Sequence, residues 1–136
     1  MTRPQPQNPF MTARILATAM ITGVVMFGVV GFIVDRPAPT HLAVSDTTAV
    51  IAYAVIALGA LTAAFLIQRS AVEQTTQAAV MQRLVIAWAL LEFPALLAVV
   101  CSLVYGVRTI LPGAALIYFA GMFKTFPRAE WFSGKT

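Results

Sequence analysis

The stretch RLVIAWALLEFPALLAVVCSLVYG, residues 83–106, decides the fold. From Leu84 to Tyr105 it is apolar except for one carboxylic acid, Glu92, and basic residues bracket it at Arg83 and Arg108. Crossing the hydrocarbon of a bilayer takes about 20 helical residues, with a range of about 17–25. This run therefore reads as a membrane-spanning helix.

Working outward, three more apolar segments have the same bracketed form. One runs from Ile15 to Val34, between Arg14 and the pair Asp35–Arg36, and another from Ala49 to Ile67, closing at Gln68–Arg69. The last runs from Ile110 to Phe126 and is short, but Lys124 near its end can snorkel to the interface. The expectation is an all-α integral membrane protein: a four-helix transmembrane bundle of two hairpins, with spans at 15–34, 49–67, 84–105 and 110–126. One membrane domain, 14–128, then sits between a loose Pro-rich N-terminal tail, 1–13, and a C-terminal tail, 129–136. The first span exceeds a signal-peptide core and no Ala-x-Ala site follows it, so it is expected to stay as a helix.

Composition points the same way. Of 136 residues, 60% are hydrophobic and 10% charged, with mean hydropathy +0.84. A soluble domain keeps roughly a quarter of its residues charged. The lipid bilayer is thus the expected surrounding. Nine basic residues against five acidic ones give a net charge of +4 without any basic run, so nucleic acid is not an expected partner. The single Cys101 has no intramolecular disulfide partner.

The basic residues also carry orientation. Arg3, Arg14, Arg69, Arg83, Lys124, Arg128 and Lys135 fall on one side of the expected bundle, and Arg36 and Arg108 on the other. The positive-inside rule places both termini in the cytoplasm, N-in and C-in, in the cell inner (plasma) membrane. Residues 35–48 become an external loop stiffened by Pro37 and Pro39. Residues 68–82 lack Gly and Pro, so the second helix is expected to run on into the cytoplasm. Only Gly106, Val107, Arg108 and Thr109 separate the last two helices, a tight hairpin that makes them neighbours.

Glu92 is the residue that demands a reason. It lies eight residues past Leu84, about 12 Å into the membrane. An acid near a helix centre costs about 2.5–3.5 kcal/mol to insert. Such groups face the protein interior and either serve function or act as hydrogen-bonding glue. Matched by depth, Thr22, Thr62 and Tyr118 fall near its level and are expected partners in a buried polar layer, an ion-binding or purely structural one. Threonines alternatively bond their own helix backbone. Pro94, two residues on, predicts a kink that loosens backbone bonding beside Glu92. Gly23, Gly28, Gly31 and Gly59 are expected at close helix contacts.

Other chemistry is poorly represented. The lone His41, with Asp35 and Asp46 near it in the external loop, makes a poor metal site, so no metal is expected. No nucleophile–base pair, phosphate-cradling loop or Cys/His cluster is visible. Neither catalytic residues nor a cofactor are expected, and an enzyme is not the reading.

The string Ala89, Leu90, Glu92, Pro94, Ala95 and Leu96 resembles the third helix of a family of small bacterial four-helix membrane proteins. ATAMITGVVMFGVVGF (17–32) and FPR (126–128) are similar to that family as well. The resemblance implies the fold and no particular activity. Glu-x-Pro-Ala is also similar to the ion-binding helix of the rotor-ring proteolipids of ATP synthases and V-type ATPases, which implies Glu92 as a carrier of protons or cations. Here, however, the carboxyl falls on the third helix, where V-type double hairpins usually carry it on the fourth. A further class, the small multidrug transporters, also has four helices and one membrane glutamate, but on the first helix. The leading expectation is a structural or accessory subunit of a membrane complex, with membrane-protein partners or a homo-oligomer. Proton or cation handling by Glu92 is the alternative, and a small four-helix transporter comes after it.

Overall fold

The computed structural model describes residues 8–34 and 46–135, the latter from the backbone alone at Asp46. Four α-helices follow in chain order: α1 (Pro9–Ile33), α2 (Asp46–Val72), α3 (Gln77–Tyr105) and α4 (Ile110–Thr125). A 3-10 turn, Ala129–Trp131, follows α4. The first three helices are long and apolar enough to cross a membrane. α4 has 16 residues, a length of roughly 24 Å against a hydrocarbon layer of about 30 Å.

Local signals explain the boundaries. α1 starts at Pro9, earlier than the loose tail expected over 1–13, because Asn8 caps it. The Asn8 side chain accepts from the Phe10 amide at 3.1 Å, and Pro9 sits where a missing N–H costs nothing. The stretch 68–82 is not one helical extension. α2 stops at Val72, and Thr76 restarts the chain as the N-cap of α3, its hydroxyl accepting from the Ala79 amide at 3.3 Å. Competition from that cap breaks a run with no Gly or Pro in it. α3 ends at Gly106, whose φ of 71° is the left-handed closure a side chain would strain. Four residues, 106–109, then lead into α4.

α3 is the central element. It packs against α1, α2 and α4; α2 also meets α4, and α1 leans almost wholly on α3. The buried stripes are built of small residues at steps of seven: Ala17, Val24 and Gly31 on α1, and Ala57, Ala64 and Ala71 on α2. Small residues let backbones approach where lipid removes any hydrophobic drive between helices. Larger side chains fill the centre, with Leu84, Trp88, Leu91, Tyr118 and Met122 all fully or almost fully buried. Outside these stripes α1 and α2 show a nearly continuous apolar surface, including Phe27, Phe32, Ile51, Val55 and Leu66.

The chain after α4 folds back under the bundle. Trp131 and Phe132 are buried, and Phe132 meets Phe10 of α1 with ring centroids 6.2 Å apart. Arg14 lies over the rings of both Phe10, at 5.6 Å, and Phe126, at 5.8 Å. Gln77 donates to the Lys135 carbonyl at 2.7 Å, while the Lys135 ammonium donates to the Val72 carbonyl at 2.7 Å. Arg83 reaches Ser70 Oγ at 2.6 Å. These contacts bring the start of α1, the α2–α3 junction and the C-terminal segment to one end of the bundle, with Arg14, Arg83 and Lys135 there together.

Candidate functional site

The site begins with the strip of α3 that carries Glu92, Ala95 and Val99, residues spaced by three and four and hence on one helix face. α1 covers its outer part. The backbone at Gly31 comes so near Val99 that a Cβ on Gly31 would fall 2.8 Å from Val99 Cγ1. Stepping back seven residues along both helices brings buried Val24 level with Glu92. Glu92 itself is half-buried. Its carboxyl has no hydrogen-bond or ion-pair partner among the described residues.

Tyr118 of α4 completes the centre. The residue is 2% exposed, its hydroxyl has no hydrogen-bond partner among the described residues, and its phenol is within Coulombic range of the Glu92 carboxyl. Its ring packs edge-on against Phe119 with centroids 5.7 Å apart. Pro94, buried inside the unbroken α3, provides no N–H, so the Leu90 carbonyl lacks its helical donor one turn back. A carboxyl, a phenol and a loosened carbonyl therefore share one level of the bundle.

The two threonines expected to join that layer do not. Thr22 and Thr62 are exposed, and each hydroxyl donates to its own helix, Thr22 to the Thr18 carbonyl at 2.9 Å and Thr62 to the Leu58 carbonyl at 2.8 Å. The reason is angular. Each lies two residues before a buried stripe residue, Val24 or Ala64, and two helical steps turn a side chain to roughly the opposite face. Matching by depth alone leaves out azimuth.

The glycines divide similarly. Gly31 sits at a close approach, whereas a Cβ at Gly23, Gly28 or Gly59 would meet nothing within 4 Å. The tightest approach is at Gly121 of α4, which sequence reasoning passed over; a Cβ there would lie 2.7 Å from Leu91 Cδ2. Its signal was a step of seven from Ala114 on the buried stripe of α4. Also passed over was Ser102, whose buried hydroxyl has no partner among the described residues, while the Trp88 indole donates to the Thr125 carbonyl at 3.2 Å.

Beside this centre α1 and α4 stand apart over α3 and leave an apolar groove of about 520 Å3. Val24, Gly28 and Phe32 form one wall, Leu111, Ala115 and Phe119 the other, with Ala95 and Val99 as floor and Arg108 at one end. His41 and Asp35, and the side chain of Asp46, lie outside the described residues. Among the described residues no three His, Cys, Asp or Glu side chains gather into a metal-holding group. Comparison of the chain with protein-family models, with curated proteins and with solved structures finds no match.

Proposed function

We propose that this chain is a multi-pass protein of the inner (plasma) membrane, both termini cytoplasmic, that serves as a structural or accessory subunit of a larger membrane complex. The observation carrying this reading is Glu92, a half-buried carboxyl in the middle of an apolar helix with no described hydrogen-bond or ion-pair partner. Facing it to lipid costs about 2.5–3.5 kcal/mol, and a polar group on a neighbouring subunit removes that cost. The outer surface of α1 and α2, with Phe27, Phe32, Ile51, Val55 and Leu66 exposed, supports the membrane part of this reading. α4 crosses with the help of Lys124, which extends its reach to the interface.

The test is a photo-crosslinking residue in place of Phe93, which is exposed beside Glu92, combined with native mass spectrometry of the protein in mild detergent. A crosslink to a second polypeptide and a mass above the monomer are expected. A monomer without crosslinks overturns the reading.

The nearness of Glu92 to Tyr118, whose hydroxyl has no partner among the described residues, beside the loosened turn at Pro94 favours one alternative, proton or cation handling in an oligomer. That reading differs in needing the carboxyl to titrate during turnover.

A further inference from the structure

We infer that the groove between α1 and α4 is a binding site for one phospholipid of the leaflet on the Arg108 side, its acyl chain lying along Ala95 and Val99 and its phosphate on Arg108, with anionic headgroups preferred. The inference rests on the membrane reading above. Three features of the groove select this occupant.

The first is length. On α1 the lining runs from Val24 to Ile33, about 13 Å at 1.5 Å per residue. That is close to one leaflet, half of a hydrocarbon layer of about 30 Å. The groove therefore extends from the interface to the middle of the membrane and stops, as a single acyl chain does.

The second is lining. Apart from Arg108 and Tyr118, the described lining residues are apolar side chains or glycine, a wall that a flexible hydrocarbon chain can follow.

The third is charge. Arg108 is the sole charged side chain among the described residues that line the groove, and it lies at the α3–α4 turn, the end that meets the interface. A guanidinium has five N–H donors in a planar fork, so it can bind a phosphate alongside another contact. At the opposite end lies the phenol of Tyr118, 98% buried by its 2% exposure and without a described hydrogen-bond partner. The acyl chain thus ends beside a polar centre that it shields from the rest of the membrane.

Gly28 gives the means of testing this. It lines the groove, and open space surrounds its missing Cβ, so Gly28→Leu fills the groove without displacing the fold. Ala115→Phe fills it from the facing wall. The protein is reconstituted in nanodiscs of equal phosphatidylglycerol and phosphatidylcholine, released into mild detergent and weighed by native mass spectrometry. The expected result is one retained lipid per chain, with phosphatidylglycerol enriched about fivefold over phosphatidylcholine. Both filling variants should lose the retained lipid, and Arg108→Gln should keep it without the enrichment. Retention unchanged in both filling variants overturns the site. So does a wild-type dimer that either filling variant converts to a monomer, since the groove then holds a second copy. Recovery of the wild type in the soluble fraction without detergent instead overturns the membrane reading. Lipid retention in Glu92→Leu separates this site from the subunit proposal: it should persist even where the complex is lost.

Discussion

The indole of Trp88 donates a hydrogen bond to the backbone carbonyl of Thr125 at 3.2 Å, and this fastens the first half of α3 to the last turn of α4. Both residues are 0% exposed, and the Thr125 hydroxyl turns back to the Gly121 carbonyl at 3.0 Å. The Thr125 carbonyl is one of the last four of α4, which lack helical partners. A side chain from another helix therefore caps it, in a place where water cannot.

This contact predicts two graded losses. Trp88→Phe removes the donor and little volume, and should destabilise the bundle by about 0.6–1.7 kcal/mol, the scale of interhelical hydrogen bonds in membranes. Trp88→Ala leaves a cavity in addition and should cost about 3 kcal/mol, the low end for such truncations, since the lipid-exposed reference state loses little transfer energy. Unfolding in mixed micelles followed by circular dichroism measures both. Equal losses would mean that the hydrogen bond, rather than packing, holds this end of the bundle.

The approach of Gly31 to Val99 predicts a repairable clash. A Cβ at Gly31 would stand 2.8 Å from Val99 Cγ1, and the β-branched valine has little freedom to turn aside. Gly31→Ala should destabilise by about 1–3 kcal/mol, and adding Val99→Ala should recover most of that. Gly59→Ala, in open space, should be neutral or stabilise by up to about 1 kcal/mol. A Gly31→Ala protein as stable as the wild type would show that α1 slides freely on α3.

How far the sequence reaches is visible in these residues. The number of helices, their hairpin joints and the α3–α4 turn at Gly106 follow from apolar runs and bracketing charges, which are one-dimensional signals. Which side of a helix faces its neighbours is harder to read where nearly every residue is apolar. Thr22 and Thr62 were placed by depth, which the rise per residue fixes, but their faces follow from packing of small residues at steps of seven. Polarity does not mark that stripe: Ala57, Ala64 and Ala71 are no more apolar than exposed residues such as Leu58 and Leu66 between them. Gly121 was hidden for the same reason. Asn8–Pro9 and Thr76 were legible as caps, and were masked by the weight given to Pro content at one and helix propensity at the other.

The folded-back C-terminal segment predicts a localised defect. Trp131 and Phe132 bury their rings against the end of the bundle that holds Phe10 and Arg14. Trp131→Ala should leave α1–α4 folded and make the segment after Phe126 a site of limited proteolysis. Intact-mass analysis after brief trypsin treatment reads this directly, with cleavage expected at Arg128. Resistance equal to the wild type would mean that the side-chain hydrogen bonds of Gln77 and Lys135 to backbone carbonyls suffice to hold the segment.

Orientation yields a labelling prediction. In a Cys101→Ala background, a cysteine at position 41 should react with a membrane-impermeant maleimide from outside intact cells. One at position 74, in the α2–α3 junction, should react only after the membrane is opened. The charge asymmetry motivates this, since Arg14, Arg83 and Lys135 meet at one end of the bundle while Arg108 lies at the turn of the other. Reversed labelling of the two positions would turn the chain over and place Arg108 at the cytoplasmic leaflet.

Glu92 separates the two proposed roles, because its two simplest replacements differ in one property each. Gln keeps the size and the hydrogen-bonding ends of the side chain and removes only the ability to titrate. Leu keeps approximate size and removes polarity altogether. If Glu92 binds a neighbouring subunit through a hydrogen bond, Glu92→Gln should preserve the complex, and Glu92→Leu should fold yet migrate as a free chain. Its own stability should then rise slightly, since a desolvated polar group has gone. If Glu92 carries a proton or cation, Glu92→Gln should assemble normally and abolish flux in proteoliposomes. Carbodiimide modification gives an independent view of the same carboxyl. A protonated membrane acid reacts, and a cation that occupies the site slows the reaction. Glu92→Gln with full flux would remove the carrier reading, and Glu92→Leu with an intact complex would remove the subunit contact.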